Sequence, residues 1–279
     1  IWGDPDIPTE RLWNYTASGG GAISIWIWGF DRFCRLFNPR QLLALVKLVK
    51  LIREAGKKIE KEKLKEGWGK EEALKYAEAV ITYLAIALVH HVDYNAIVTA
   101  WHPSFWGLLK VHHVLATRGI AMTWNWSDVN NLYPSQVSFL GMLSGYVKDG
   151  LSYLVSAVSG SSSRVRVLLD DATVLSKLGN GRFDIIITDP PYYDDVPYTE
   201  LSDFYYVWLK RALSDVKDGQ LTPRFHVDIF FRKVGLKEVE IRTQWEEYAR
   251  REVGLNPGRL NVRLDEAKRY FLDLLRMSF

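Results

Sequence analysis

The alternation of apolar and polar positions divides the chain into stretches of different character. Residues 1–37 are irregular, punctuated by Pro5, Pro8 and the run Gly19-Gly20-Gly21. Within them Ile23, Ile25 and Ile27 alternate with Ser24, Trp26 and Trp28 across Ala22–Phe30, a period of two that predicts a short strand or hairpin arm. Asn38-Pro39 then predicts a helix start, with Asn as N-cap and Pro at the first helical position. The helix is predicted over Pro39–Ala55, closed by Gly56 as C-cap. Its polar positions Lys47, Lys50 and Glu54 share one face, so the rest of its surface should be buried. The mixed-sign run 57–72 reads as a solvated helix turn or linker. Further long helices are predicted over Glu71–Val92 and Gln136–Val158, the latter ending at the flexible break Ser159–Ser163. Two strand-like runs follow, Arg164–Leu169 (RVRVLL) and Phe183–Thr188 (FDIIIT). A continuous apolar run between turn signals fits a strand covered on both faces, as in a parallel sheet. From about Leu236 the tail reads as two charged amphipathic helices split by Asn256-Pro257-Gly258.

Composition narrows the class without naming it. At 48% hydrophobic and 25% charged residues the chain is ordinary for a globular protein, which excludes disordered and collagenous chains. The formal net charge of +3 permits nucleic-acid binding but does not demand it. Cys34 is the only cysteine, which leaves no intramolecular disulfide framework and no cysteine-rich zinc ribbon, and points to a reducing, cytoplasmic compartment. The opening IWGDPDIPTERLW lacks a basic region leading into an apolar one, so no secretory signal is read there. No apolar run approaches the ~18 to 20 residues of a membrane span; Ala79–Val89 comes nearest, at the length of a buried helix.

The informative tetrapeptide is Asp189-Pro190-Pro191-Tyr192, directly after the FDIIIT run. Its chance occurrence in a chain of this length is roughly one in a thousand at average residue usage. Ligand sites in open α/β sheets lie beyond the carboxyl ends of strands, where this loop is predicted to sit. The residue types suit methylation of an exocyclic amine, whose lone pair is delocalised into the ring. A carboxylate accepting one N–H and a main-chain carbonyl accepting the other free that lone pair. Consecutive prolines remove two donors and stiffen φ, so the stretch presents carbonyls. Tyr192 offers a face for a base swung out of its stack. The plainer reading of the same residues is a proline-stiffened turn over a packed tyrosine.

The segment FDIIITDPPYYDDVPYTELSDFYYVWLKRAL resembles the signature of the large archaeal and bacterial adenine-specific DNA methylases that often carry a zinc ribbon. FNPRQLLALVKLVKLIREAG (37–56), YAEAVITYLAIALVHHVDYNA (76–96), GIAMTWNWSDVN (119–130) and RVRVLLDDATVL (164–175) also resemble that group, in the same order, so the likeness covers most of residues 37–223. It implies an α/β, Rossmann-like S-adenosylmethionine-dependent methyltransferase fold with a large helical segment. Residues 1–158 would be a mostly helical segment packed on the sheet, 159–223 the α/β catalytic segment, and 224–279 a charged helical tail. The implied activity is amino-methylation of double-stranded DNA with the target base flipped, adenine N6 preferred over cytosine N4.

Carried over residue by residue, Asp189, Pro190, Pro191 and Tyr192 would form the catalytic loop. Asp171 is similar to the acidic residue beside the cofactor's adenine, although a strand-end turn explains it equally and Asp170 could serve instead. Asn38, Pro39, Arg40 and Gln41 resemble the element near the cofactor's methionine end, where helix N–H groups suit a carboxylate; a plain N-cap is the alternative. Two departures stand against the likeness. The chain has no Asp-Pro-Phe-X-Gly-X-Gly loop, Ser18-Gly19-Gly20-Gly21 being unframed by strand and helix, and it has no zinc ribbon. The glycine loop is expected upstream of Ile1 or on a partner chain. Two other functions therefore stay open: a non-catalytic nucleic-acid-binding or partner-binding module that keeps the fold, and an RNA methyltransferase. His90-His91 and His112-His113 lack a carboxylate or cysteine at ligand spacing and predict no metal. Tyr205-Tyr206-Val207-Trp208 is expected to be core rather than a stacking platform.

Overall fold

The core grows from two long helices whose apolar faces match. In the computed structural model, which describes residues 3–13, 25–103, 109–116, 119–131, 133–163, 165–179, 181–193 and 196–279, helix α1 spans Pro39–Lys65 and α2 spans Lys70–Tyr94. Asn38 opens α1 through a capping box: its side chain accepts from Arg40 N and Gln41 N, while Gln41 Oε1 accepts from Asn38 N. Leu42, Leu45, Val49 and Ile52 of α1 are buried against Ala77, Ile81, Ala85 and Leu88 of α2. The small residues of α2 let the helix backbones approach. Gly56 belongs to the same seam: a Cβ there would lie 3.0 Å from Ile81 Cγ1. It is therefore a packing glycine inside α1 rather than the predicted C-cap, and the charged run continues the helix to Lys65 before the turn at Gly67.

Two further corrections concern short elements. Ile25–Trp28 is a 3₁₀ turn, not a strand; residues 22–24, like Ser18–Gly21, lie outside the described residues. A period of two over three isoleucines is too short to hold a strand without a pairing partner. The tail begins with a β-hairpin, β5 (Phe231–Val234) against β6 (Lys237–Glu240), so of its two expected amphipathic helices only the second forms, over Leu264–Met277, and Asn256-Pro257 starts the short turn Pro257–Leu260. The other hairpins pair β1 (Ala100–Pro103) with β2 (Leu109–His112) and β3 (Asp215–Lys217) with β4 (Gln220–Thr222).

Among the described residues these three two-stranded antiparallel sheets are the only ones. The parallel pair expected from Val165–Leu169 and Ile185–Thr188 is not formed. Both runs are irregular and uncovered, with Val165, Val167 and Ile187 exposed by 86%, 89% and 91%. A parallel pair is stable only with cover on both faces, and no described element lies over these runs. The helix before them, α3 (Lys148–Val158), preceded by a π-turn over Met142–Val147, also buries none of its residues.

Helix α4 (Tyr198–Leu213) follows the Asp-Pro-Pro-Tyr loop and completes the core. Phe204, Val207 and Trp208 are buried, Phe37 meeting Trp208 edge-on at 5.3 Å and stacking with Phe204 at 6.5 Å. Tyr206 is likewise interior, its hydroxyl donating to Ile229 O and Ile241 O. Helix α2 is also long and apolar enough by length and composition to cross a membrane, the one described helix that is, which the shorter run Ala79–Val89 did not foretell. One third of its apolar window is buried, in the seam with α1 and α4.

Candidate functional site

Asp189, Pro190 and Pro191 line a cavity of about 260 Å³ together with Ala172, Thr188 and Tyr198. Ala172, three residues past the first apolar run, and Thr188, the last of the second, thus meet at one opening although no sheet joins the runs. The opposite wall comes from the tail: Glu252, Val253, and Leu275, Ser278 and Phe279 at the end of helix α5 (Leu264–Met277). Asp189 and Tyr192 are exposed, so both are accessible to a ligand. Tyr193 carries a φ of +22°, a value bulky residues seldom adopt, and is held on both sides. Its carbonyl accepts from Leu255 N at 2.8 Å, and its ring meets Phe271 edge-on at 5.2 Å.

Just below the loop, charged side chains fix the start of α4. Glu252 accepts from Tyr198 N and Thr199 N, each at 3.0 Å, and from the Thr199 hydroxyl. Arg259 grips Glu200 through Nε at 2.9 Å and Nη2 at 2.5 Å, and reaches Glu252 through Nη1 at 2.9 Å. Glu200 also accepts from Trp245 Nε1. Deeper on α4, Lys210 and Arg211 converge on Glu10, all three buried. Burial pushes the Glu10 carboxyl up, but the Arg211 and Lys210 charges outweigh it and hold the group below the usual range. Asp203 accepts from the Gln244 N–H, and burial pushes its pKa up to about 7.

Asp171 sits beside this cavity without lining it. Its Oδ1 accepts from Thr173 N and Thr173 Oγ1, and these bonds hold its carboxyl below the usual range. These bonds close a turn after the irregular run 165–169, with no strand before it, and neither uses Oδ2. Asp170 is taken up by Ser176 and Lys177 N.

Arg40 and Gln41 line a separate cavity of about 310 Å³ with Asn95, Asp128, Val129, Asn130 and Asn131. Asn38 Nδ2 and Arg40 Nη2 both donate to Asp128, and Gln41 Nε2 donates to Ser127 O. Pro39 has no N–H and Asn38 already accepts from the next two, so the start of α1 is capped by its own side chain. The cavity offers an anionic ligand the Arg40 side chain rather than helix N–H groups.

The sequence foresaw no role for Glu252, Arg259 or Tyr198. Only the Tyr198–Glu200 stretch lay within the resembling segment; the tail residues carry no motif, and folding alone brings them to the loop. The histidines are drawn into packing: His113 Nδ1 lies 3.1 Å from Asp93 Oδ2, His91 Nδ1 meets Val137 O at 3.0 Å, and the His90 ring packs beside Tyr94 and Tyr146. Among the described residues no group of three or more His, Cys, Asp or Glu is disposed to hold a metal ion. No protein-family model matches the chain, and neither curated proteins nor solved structures yield a match.

Proposed function

We propose that the chain is the target-base half of an S-adenosylmethionine-dependent DNA amino-methyltransferase acting on adenine N6 in the cytoplasm. The observation that carries the reading is the cavity where Thr188–Pro191 and Ala172 meet, with Asp189 accessible at its edge. A planar base entering there would meet the Asp189 carboxylate and the Pro190 carbonyl as acceptors for its amino hydrogens, with Tyr192 as a stacking face. Two acceptors on one amino group pull its lone pair out of ring conjugation towards the methyl donor. Pro190 and Pro191 hold those acceptors stiffly, so little orientation is lost at the moment of reaction.

The cofactor would supply an electrophilic methyl group on a sulfonium. Asp171 fits its adenosine end, since Oδ2 is left to accept from a hydroxyl or amine. The Asn38–Gln41 turn fits the methionine end less well, its helix N–H groups being already used. The apolar runs 165–169 and 185–188 supply the reason: their exposure is that of strands awaiting a sheet. In this reading the Rossmann-like sheet, and with it the cofactor site, is completed by polypeptide outside the described residues. Asp189→Ala, followed by transfer of labelled methyl from S-adenosylmethionine to duplex DNA, tests the assignment. Loss of at least a hundredfold is expected, and retained transfer refutes it.

The same exposed runs favour one second reading, a binding module that keeps the loop without catalysing. Methyl transfer by the complete enzyme separates the two: transfer that is lost in Asp189→Ala excludes the module.

A further inference from the structure

We propose that the tail segment 252–259 is a clamp that positions the Asp-Pro-Pro-Tyr loop, with Glu252 and Arg259 as its positioning residues. The inference rests on the loop being the base-binding element, but its test does not.

Two fixed points follow the loop. Asp189 is separated from Tyr193 by Pro190, Pro191 and Tyr192, and both prolines have their φ locked by the ring. Holding Tyr193 therefore narrows the range of positions open to the Asp189 backbone. The tail holds Tyr193 through two contacts: Leu255 N donates to its carbonyl at 2.8 Å, and Phe271 meets its ring. Its positive φ of +22° would relax without such support.

The second point is the start of α4. Pro197, the residue before it, gives no side-chain cap, so the first N–H groups of the helix need an acceptor from elsewhere. Glu252 is that acceptor for Thr199 N, 53 residues away in sequence, on Oε2, while on Oε1 it shares Tyr198 N with the Val196 carbonyl. A carboxylate at a helix N-terminus is also favoured by the helix dipole. Arg259 makes the arrangement rigid: one planar guanidinium holds Glu200 of α4 through two nitrogens and Glu252 of the tail through the third. The network sits in the interior, Arg259 and Glu200 being almost wholly buried, so water competes little for these bonds. Glu252 and Val253 in turn line the cavity opposite Asp189. The clamp thus forms one wall of the site and sets the shape of the other.

Residue-resolved amide hydrogen exchange on the full chain tests this without any activity. In Glu252→Ala, exchange at Thr199 and Leu255 should rise at least tenfold, while amides of α1 and α2 keep their wild-type rates. Arg259→Lys, which keeps the charge but not the planar fork, should retain part of the protection at those two amides that Arg259→Met loses. Unchanged exchange at Thr199 and Leu255 overturns the clamp, as does a uniform rise through α1 and α2, which would mark general loss of stability. A clamp confirmed in a chain that transfers no methyl group would leave the positioning intact and count only against the methyltransferase reading.

Discussion

Asp203 gives the fold a pH dependence that runs opposite to ordinary acid denaturation. The side chain is 2% exposed on α4, and its bond from Gln244 N does not offset the loss of water. Burial raises its pKa from 3.8 to about 7, against the weaker opposing pull of that hydrogen bond and of Lys210. Between those two values the folded chain holds a proton that the unfolded chain has released, so stability falls as pH rises through this window and levels off above it. At about 1.36 kcal/mol per pH unit, the gap of about 3 units from 3.8 to 7 sets a ceiling of about 4 kcal/mol on the loss. Asp203→Asn keeps an oxygen for Gln244 N and removes the titration. Urea unfolding of both proteins at pH 5 and pH 8 isolates the term, because every other titrating group is common to the pair. The variant should gain on the wild type between pH 5 and pH 8 by about 2 kcal/mol or more. Parallel stability profiles, or a gap that closes as pH rises, would refute the assignment of a protonated interior carboxyl to Asp203.

Two further substitutions probe the core. Glu10→Gln leaves Arg211 in the interior beside an uncharged partner, while Lys210 keeps Glu240, and should cost about 3–5 kcal/mol in chemical denaturation; a loss under 1 kcal/mol would mean Arg211 finds other acceptors. Gly56→Leu drives a side chain into Ile81 and Phe225, and should lower stability by about 1–3 kcal/mol despite the better helix propensity of leucine. A thermal midpoint at or above that of the wild type would show that the α1–α2 seam has room to yield.

What the sequence determined by itself was local. Asn38-Pro39-Arg40-Gln41 dictated a capped helix start because every bond of a capping box joins near neighbours. The period of apolar residues gave both long helices, and the buried Tyr206-Val207-Trp208 followed from the same spacing on α4. The loop Asp189–Tyr192 stood out in the sequence because two prolines and a carboxylate state their constraints without a partner. Sheet formation is not local, and there the reading and the structure part: RVRVLL and FDIIIT have the composition of covered strands, yet a strand exists only where another backbone takes its hydrogen bonds. Gly56 was misjudged for a related reason, since only the approach of α2 distinguishes a packing glycine from a terminating one. The tertiary structure alone decided what faces Asp189. Glu252 and Arg259 belong to a charged tail with no motif, and an ion pair such as Arg259–Glu200, 59 positions apart, leaves no periodicity behind. Their role follows from the fold bringing two helix ends and a stiff loop to one place.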